Sequence, residues 1–303
     1  MQLAVWLSFV WMVLSASVAH AQVQPPDRAR WVALAKGGFV LPADQKAVDV
    51  LVEMNPLVAS LDPVLRDEVA FSAAERWMLR DRKLSSDEVR RVMKMWLANL
   101  DDGLGTTGED RVFKRSFSAL NLSLVAAYDL TAPFMEAAEV QSFFDRMLDY
   151  FAREKDLRGF DPTRGWMHTV AHTSDVLKFL SRNPKLAAGT DVRLLSAIRT
   201  KIESSQTVFA WGENDRMALA LQSAVRRPDA DARAFESWLA KWTEDHKKLW
   251  ANGPHVDAAQ FALVENGKQL LRSLHTALTL ETKPTPNGDA ARKVVLATLG
   301  NMR

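Results

Sequence analysis

Apolar side chains recur along this chain at helical intervals. Asp62-Pro63 sets a capping carboxylate ahead of a proline at a first helical position, and Leu65, Val69, Ala73 and Trp77 follow at four-residue steps. Ser85-Ser86-Asp87-Glu88 predicts a capping box, with Val89, Val92, Met93, Trp96, Leu97 and Leu100 as the stripe behind it. Further stripes run through Phe113, Phe117, Leu120, Leu124 and Tyr128, and through Val140, Phe143, Met147 and Phe151. In the second half they run through Leu195, Ile198 and Ile202, then Phe235, Trp238, Trp242 and Leu249. Phe261, Val264, Leu271, Leu274 and Leu278 predict a long helix, and Val294, Val295 and Leu299 the last one. No run alternates apolar and polar residues with β-branched enrichment, so no strands are expected.

The pattern predicts an all-α protein of about ten or eleven helices, joined by short polar loops into α-hairpins. Such hairpins stack as an open α-solenoid superhelix of HEAT or armadillo type, the arrangement expected here, or close into an α/α toroid. No Pro/Gly/Ser linker divides residues 22–303, which read as one helical domain with an irregular connection from Lys283 to Gly288. Most of the tryptophans fall on apolar stripes and read as core.

The segment 1–21, MQLAVWLSFVWMVLSASVAHA, stands apart because it carries no charged side chain. Its apolar stretch from Leu3 to Leu14 falls short of the about 20 residues that span a bilayer. Ala19-His20-Ala21 then matches the small-residue pattern of a signal peptidase site. The expectation is export, cleavage after Ala21, a periplasmic or secreted location and no transmembrane segment thereafter.

Across the 303 residues, 39 basic groups face 37 acidic ones for a net charge of +2, which argues against nucleic acid as a partner. The absence of cysteine removes disulfides, thiolate catalysis and cysteine-ligated metal.

Residues 154–175, EKDLRGFDPTRGWMHTVAHTSD, break the apolar pattern. A polar loop leads into a helix expected to start near Trp166, where His168, His172 and Asp175 fall at i, i+4 and i+7 within an arc of about 60°. Trp166, Val170 and Leu177 would face the core from the other side. Two imidazoles one turn apart with a carboxylate on the same face suit a divalent metal such as zinc. Glu154 or Asp156 would add an oxygen ligand or act as general base, and Arg158 or Arg216 would stabilise developing negative charge. Thr169 stands where the zinc proteases carry their catalytic glutamate, so that family is disfavoured.

Two more polar clusters accompany this one. In Trp211-Gly212-Glu213-Asn214-Asp215-Arg216, Asn214 is placed to cap a helix and Arg216 to pair with a carboxylate of the first cluster. In Phe113-Lys114-Arg115-Ser116-Phe117-Ser118, Arg115 and Ser116 interrupt an apolar helix, and Ser116 could serve as a nucleophile only beside a histidine.

These clusters, with Leu65-Arg66-Asp67-Glu68, Val112, Gly159, Gly165-Trp166-Met167 and Ala171, resemble a bacterial family known as domain of unknown function number 2785. The sequence departs from that pattern at Thr173-Ser174, where smaller residues are expected, and at Asn214, where an acid is expected. The resemblance implies an all-helical, repeat-like fold and no particular reaction.

Two functions therefore compete. In one, the polar face is the recognition surface of a helical-repeat binding protein, with Arg115, Ser116, Trp166, Glu213 and Asp215 meeting a peptide, glycan or protein ligand. In the other, His168, His172 and Asp175 hold the metal of a hydrolase. A periplasmic toroid acting on polysaccharide through histidine and arginine is a third, lesser possibility.

Overall fold

The computed structural model describes residues 27–251 and 253–302, so the expected export signal lies outside the described residues. The described chain is all-α, with twelve α-helices. These are α1 (Arg28–Lys36), α2 (Ala47–Glu53), α3 (Ser72–Glu75), α4 (Ser86–Asn99), α5 (Arg111–Thr131), α6 (Ala137–Arg153), α7 (Thr169–Ser181), α8 (Thr190–Glu203), α9 (Glu213–Val225), α10 (Ala232–Trp250), α11 (Ala258–Thr279) and α12 (Pro286–Gly300). Among the described residues no helix is long and apolar enough to cross a membrane.

The four-residue steps of Leu65, Val69, Ala73 and Trp77 explain an irregularity. Each such step overshoots one α-turn by about 40°. Holding all four residues on one face therefore favours a wider helix. The chain is π-helical over Val64–Phe71 and Arg76–Arg80, on either side of α3, and all four side chains are fully buried. The capping box forms as expected: Ser85 Oγ accepts from Glu88 N, and Ser85 N donates to Glu88 Oε2 at 2.8 Å.

The helices from α4 onward pack in two rows. Helix α5 packs on α7, α7 on α9, and α9 on α11. Behind them α4 packs on α5, α6 on α7 and α8, α8 on α9 and α10, and α10 on α11. Helix α12 lies against α9, α10 and α11. One hydrophobic cluster runs through all of this, from Trp31 to Met302.

Helix α7 sits between two row neighbours, and its polar side chains are buried with the apolar ones. Thr173 and Ser174 return their hydroxyls to the backbone four residues earlier, at 2.7 Å each. They thus meet α5 and α9 without orphaned polar groups.

Five expectations are corrected. A two-stranded antiparallel hairpin, β1 (Phe160–Asp161) with β2 (Gly165–Trp166), precedes α7. It is too short to show an alternating pattern. Helix α7 begins at Thr169, and Trp166 lies on β2, 37% exposed, instead of facing the core. Gly212, not Asn214, occupies the cap position of α9, with φ 86°. Thr285 caps α12 through Gly288 N, so the irregular C-terminal connection ends there. Phe261, on the first turn of α11, is exposed and not part of the core.

Candidate functional site

The site is built where the start of α5, the end of α6, the hairpin, α7 and the start of α9 meet. Its foundation is an ion pair. Arg115 on α5 and Glu154 at the end of α6 are buried and bonded through two contacts, Nε to Oε2 at 2.6 Å and Nη2 to Oε1 at 3.0 Å. Tyr150 and the Asp156 amide donate to the same carboxylate, and Arg115 also donates to the carbonyls of Asp102 and Gly103. Lys201 donates to the Glu154 carbonyl, and burial brings its ammonium down to about 8 against the opposing pull of Glu154. Burial, reinforced by Glu154, holds the Tyr150 phenol far above its ordinary value.

Asp156 is equally committed. Its carboxylate accepts from Arg158 Nε at 2.8 Å, Arg158 Nη2 at 2.6 Å and the Gly108 amide at 3.0 Å. Glu154, Asp156 and Arg158 thus close a loop, with the Arg158 side chain about one-third exposed.

The hairpin is pinned from both sides. Arg66 lies between the rings of Phe113 and Phe117 and donates to the carbonyls of Ser60 and Arg164 at 2.8 Å each. On the other side, the Trp211 ring lies so close to Gly159 that a β-carbon there would stand 2.6 Å from Cγ of the indole. The hairpin delivers Trp166 onto Phe160, with centroids 4.8 Å apart, and onto His168, also at 4.8 Å and stacked. Trp211 joins the cluster 5.3 Å from Phe160 and is 47% exposed.

His168 precedes α7 in a left-handed conformation (φ 52°), and its Nε2 donates to the Trp211 carbonyl at 2.8 Å. Burial lowers its pKa to about 4, with the Trp211 carbonyl opposing. His172 is pushed well down by burial, then by His168 and Arg216. Its Nδ1 lies 2.8 Å from Ser116 Oγ.

That contact looks like a serine–histidine dyad, but its protons run the wrong way. The Ser116 hydroxyl has one proton and gives it to the Met167 carbonyl. Ser116 must then accept from Nδ1–H of His172, and a protonated Nδ1 cannot take a proton from the serine. Ser116 is also fully buried.

The same geometry shows where the expected metal ligands lie. Asp175 accepts from Lys178 Nζ at 2.7 Å through one oxygen and from Arg216 through the other. The His168 and His172 rings lie edge to face with centroids 5.5 Å apart, but His168 Nε2 is bonded to Trp211 and His172 Nδ1 to Ser116, and both Asp175 oxygens are taken by cations. Among the described residues no group of three or more His, Asp or Glu is arranged to hold a metal ion. His168 lies outside α7, at its cap position, so the helical period that spaces His172 from Asp175 does not extend to it.

The last expected residues sit at the head of α9. Buried Glu213 accepts from the Trp211 amide at 2.8 Å, and burial raises its pKa. Asp215 is exposed and accepts from Ser273 on α11. Arg66, Tyr150, Lys201 and Trp211 were not expected at the site. Trp211 had a visible signal, since a loop tryptophan before Gly-Glu-Asn-Asp-Arg belongs to no apolar stripe.

Residues 100–276, which include every site element except Arg66, match the family described as Protein of unknown function (DUF2785). The chain belongs to the DUF2785 family. No curated protein and no solved structure matches it. The DUF2785 match thus covers the rows α5–α7–α9–α11 and α6–α8–α10, while α1, α2 and the π-helical segment add a buttress that contributes Arg66.

Proposed function

We propose that this protein is a ligand-binding helical-repeat protein whose ligand docks on the face carrying Trp166 and Trp211. The observation that carries this reading is a contrast. The charged groups beneath the face are spent on one another or on backbone groups, while two tryptophans, backed by Phe160, His168 and the pinned hairpin, remain open to solvent. Rigid, half-exposed tryptophans beside arginine are the usual anchors of recognition surfaces. A reacting group would need a free proton donor, acceptor or lone pair aimed at substrate, and Ser116, Glu154 and Asp156 have none to spare.

The row of α5, α7, α9 and α11 supports an open solenoid over a closed toroid. Helix α12 packs on α9, α10 and α11, and among the described residues no substantial packing joins it to α1 or α2. The uncharged segment 1–21 with Ala19-His20-Ala21 supports export and a periplasmic or secreted location.

The test is a paired screen of glycan and peptide arrays, using the protein and a Trp166→Ala/Trp211→Ala variant with an unchanged circular dichroism spectrum. Signals present with the first and absent with the second are expected. An array on which the protein retains nothing, or on which both retain the same ligands, would overturn the reading.

A further inference from the structure

Helices α7 and α9 start side by side, where His168 bonds the Trp211 carbonyl. They also end side by side, where Arg227 donates to the carbonyls of Ser181, Asn183 and Leu186. The two ends of α7 lie about 20 Å apart. At the far end a depression of about 640 Å³ opens, and Ser181, Arg182, Ser223, Arg226, Arg227 and Thr285 are among the residues that line it. Its lining shares no residue with the tryptophan face.

Arginines at a helix C-terminus ordinarily answer its free carbonyls, and two of these three are spent in bonds to carbonyls and carboxylates. Arg227 adds two bonds to Asp229, at 2.9 Å each, to its three carbonyl contacts. Arg226 donates to the Lys283 carbonyl at 2.9 Å and lies 3.1 Å from Glu281. Arg182 differs. Its Nε donates to Ser223 Oγ at 3.0 Å, and buried Ser223 is itself fixed by donating to the Leu219 carbonyl. Among the described residues the two terminal nitrogens of Arg182 meet no acceptor, and no carboxylate pairs with it. Burial and then Arg226 lower its pKa from the ordinary guanidinium value, with no acid pulling the other way. The depression therefore carries one positive charge more than Asp229 and Glu281 answer.

That excess defines the ligand. A cation would meet three guanidiniums, and a neutral molecule would leave the charge unanswered. An anion supplies both the charge and the acceptors. The donors come from three elements: Arg182 from the end of α7, Arg226 from the end of α9, and Thr285 from the cap of α12. Thr285 Oγ1 accepts from the Gly288 amide and keeps its own proton to give. A tetrahedral oxyanion presents acceptors in several directions at once, whereas a planar carboxylate is matched by a single guanidinium edge. The volume falls in the range of small-ligand sites.

We propose that this depression binds a phosphate or sulfate group on Arg182, with Arg226 and Thr285 beside it, at a site separate from the tryptophan face. A free anion and an ester share this chemistry, and the test separates them. Calorimetric titrations use inorganic phosphate, inorganic sulfate, methyl phosphate and acetate, with low ionic strength held constant by chloride. The protein is compared with Arg182→Gln, which removes the charge at an exposed position and keeps an amide donor for Ser223. Circular dichroism checks that the variant is folded.

One phosphate or sulfate per chain is expected to bind, with affinity falling roughly tenfold or more in Arg182→Gln and unchanged in Trp166→Ala/Trp211→Ala. Tighter binding of methyl phosphate than of inorganic phosphate would support an ester as the ligand, and the reverse order the free anion. No saturable binding, equal binding by Arg182→Gln, or acetate bound as tightly as phosphate would overturn the proposal. Binding lost in the tryptophan variant would overturn the separation of the two sites.

Discussion

The guanidinium of Arg66 donates to the carbonyl of Arg164 at 2.8 Å, joining residues 98 positions apart. Its side chain is fully buried between Phe113 and Phe117, and a second proton goes to the Ser60 carbonyl. Gly165, with φ 77°, passes so near that a β-carbon there would stand 3.0 Å from the Arg66 Nη2. Arg66 is therefore the post on which the hairpin hangs. Arg66→Met should cost about 3 kcal/mol or more, because two carbonyls lose their donor and Asp67 its cation. Urea denaturation measures that loss, and trypsin should then cut sooner after Arg158 and Arg164. Arg66→Lys should behave much the same, since one ammonium cannot fill both bonds and both ring faces.

Glu154 gathers the charges beneath the site. Glu154→Gln leaves Arg115 charged, buried and short of its partner, at an expected cost of about 3–5 kcal/mol. A double variant, Arg115→Met/Glu154→Leu, should recover much of that, because it removes both charges and keeps the volume filled. The double-mutant cycle from urea midpoints reads the difference, and a double variant less stable than Glu154→Gln would show that the pair's other bonds dominate.

The helices were legible because burial acts at short range along the chain. Val89, Val92 and Trp96 share a face by spacing, and all are core. Even the four-residue steps from Leu65 to Trp77 carried the π-helical widening, although they were read as an ordinary helix. The site was legible in its residues and, apart from the pairing of Arg216 with Asp175, not in its arrangement. His168, His172 and Asp175 were placed on one helical arc, but the arc assumed a helix running through His168. The partners that decide their chemistry are Trp211, Ser116, Lys178 and Arg216. Three of these come from other elements, where no local period reports contact. Trp166 was assigned to the core for the same reason, since a two-residue strand leaves no periodic signature.

The buried imidazoles should weaken this fold in acid, against an opposing contribution from Asp67, whose pKa burial raises to about 6, and from Glu213, also raised. His168 has a folded pKa of about 4 against 6.5 unfolded, and His172 is shifted in the same direction. Above pH 6.5 neither state binds these protons and the histidine contribution is complete. As pH falls from 6.5 toward 4 the unfolded chain takes up protons that the folded one refuses, and stability declines. The loss from His168 levels off below pH 4 at about 3 kcal/mol. Urea midpoints across pH 4 to 8 check the slope. His168→Gln keeps an amide donor for the Trp211 carbonyl and should flatten it.

If the serine–histidine contact is structural, its proton arrangement has a signature. His172 should be the Nδ1–H tautomer, visible in the nitrogen chemical shifts of the ring, and should hold that form through neutral pH. Ser116 should resist fluorophosphonate labelling, because its hydroxyl is buried and its proton goes to Met167. Ser116→Ala should cost about 1–3 kcal/mol by leaving the His172 donor and the Met167 carbonyl unpaired. Labelling of Ser116 that vanished in His172→Ala would reverse the assignment and make the pair catalytic.

Gly159 is where a single methyl group should separate fold from recognition. A β-carbon there would stand 2.6 Å from Trp211 Cγ and 2.7 Å from Glu213 Oε1, and Trp211 is the side able to give way because it is half in solvent. Gly159→Ala should therefore swing the indole off the hairpin and disturb its contact with Phe160. The bond from His168 Nε2 runs to the Trp211 backbone and should survive. The expected stability cost is about 1–3 kcal/mol. Tryptophan fluorescence should shift to the red as the ring gains water, while Trp211→Ala on the same background should abolish the shift. Ligands retained on arrays by the unmodified protein should be lost from Gly159→Ala at temperatures where its circular dichroism is unchanged. An unshifted spectrum with full ligand retention would mean that the hairpin, not Trp211, moves aside, and that the tryptophan's present position is not what the ligand reads.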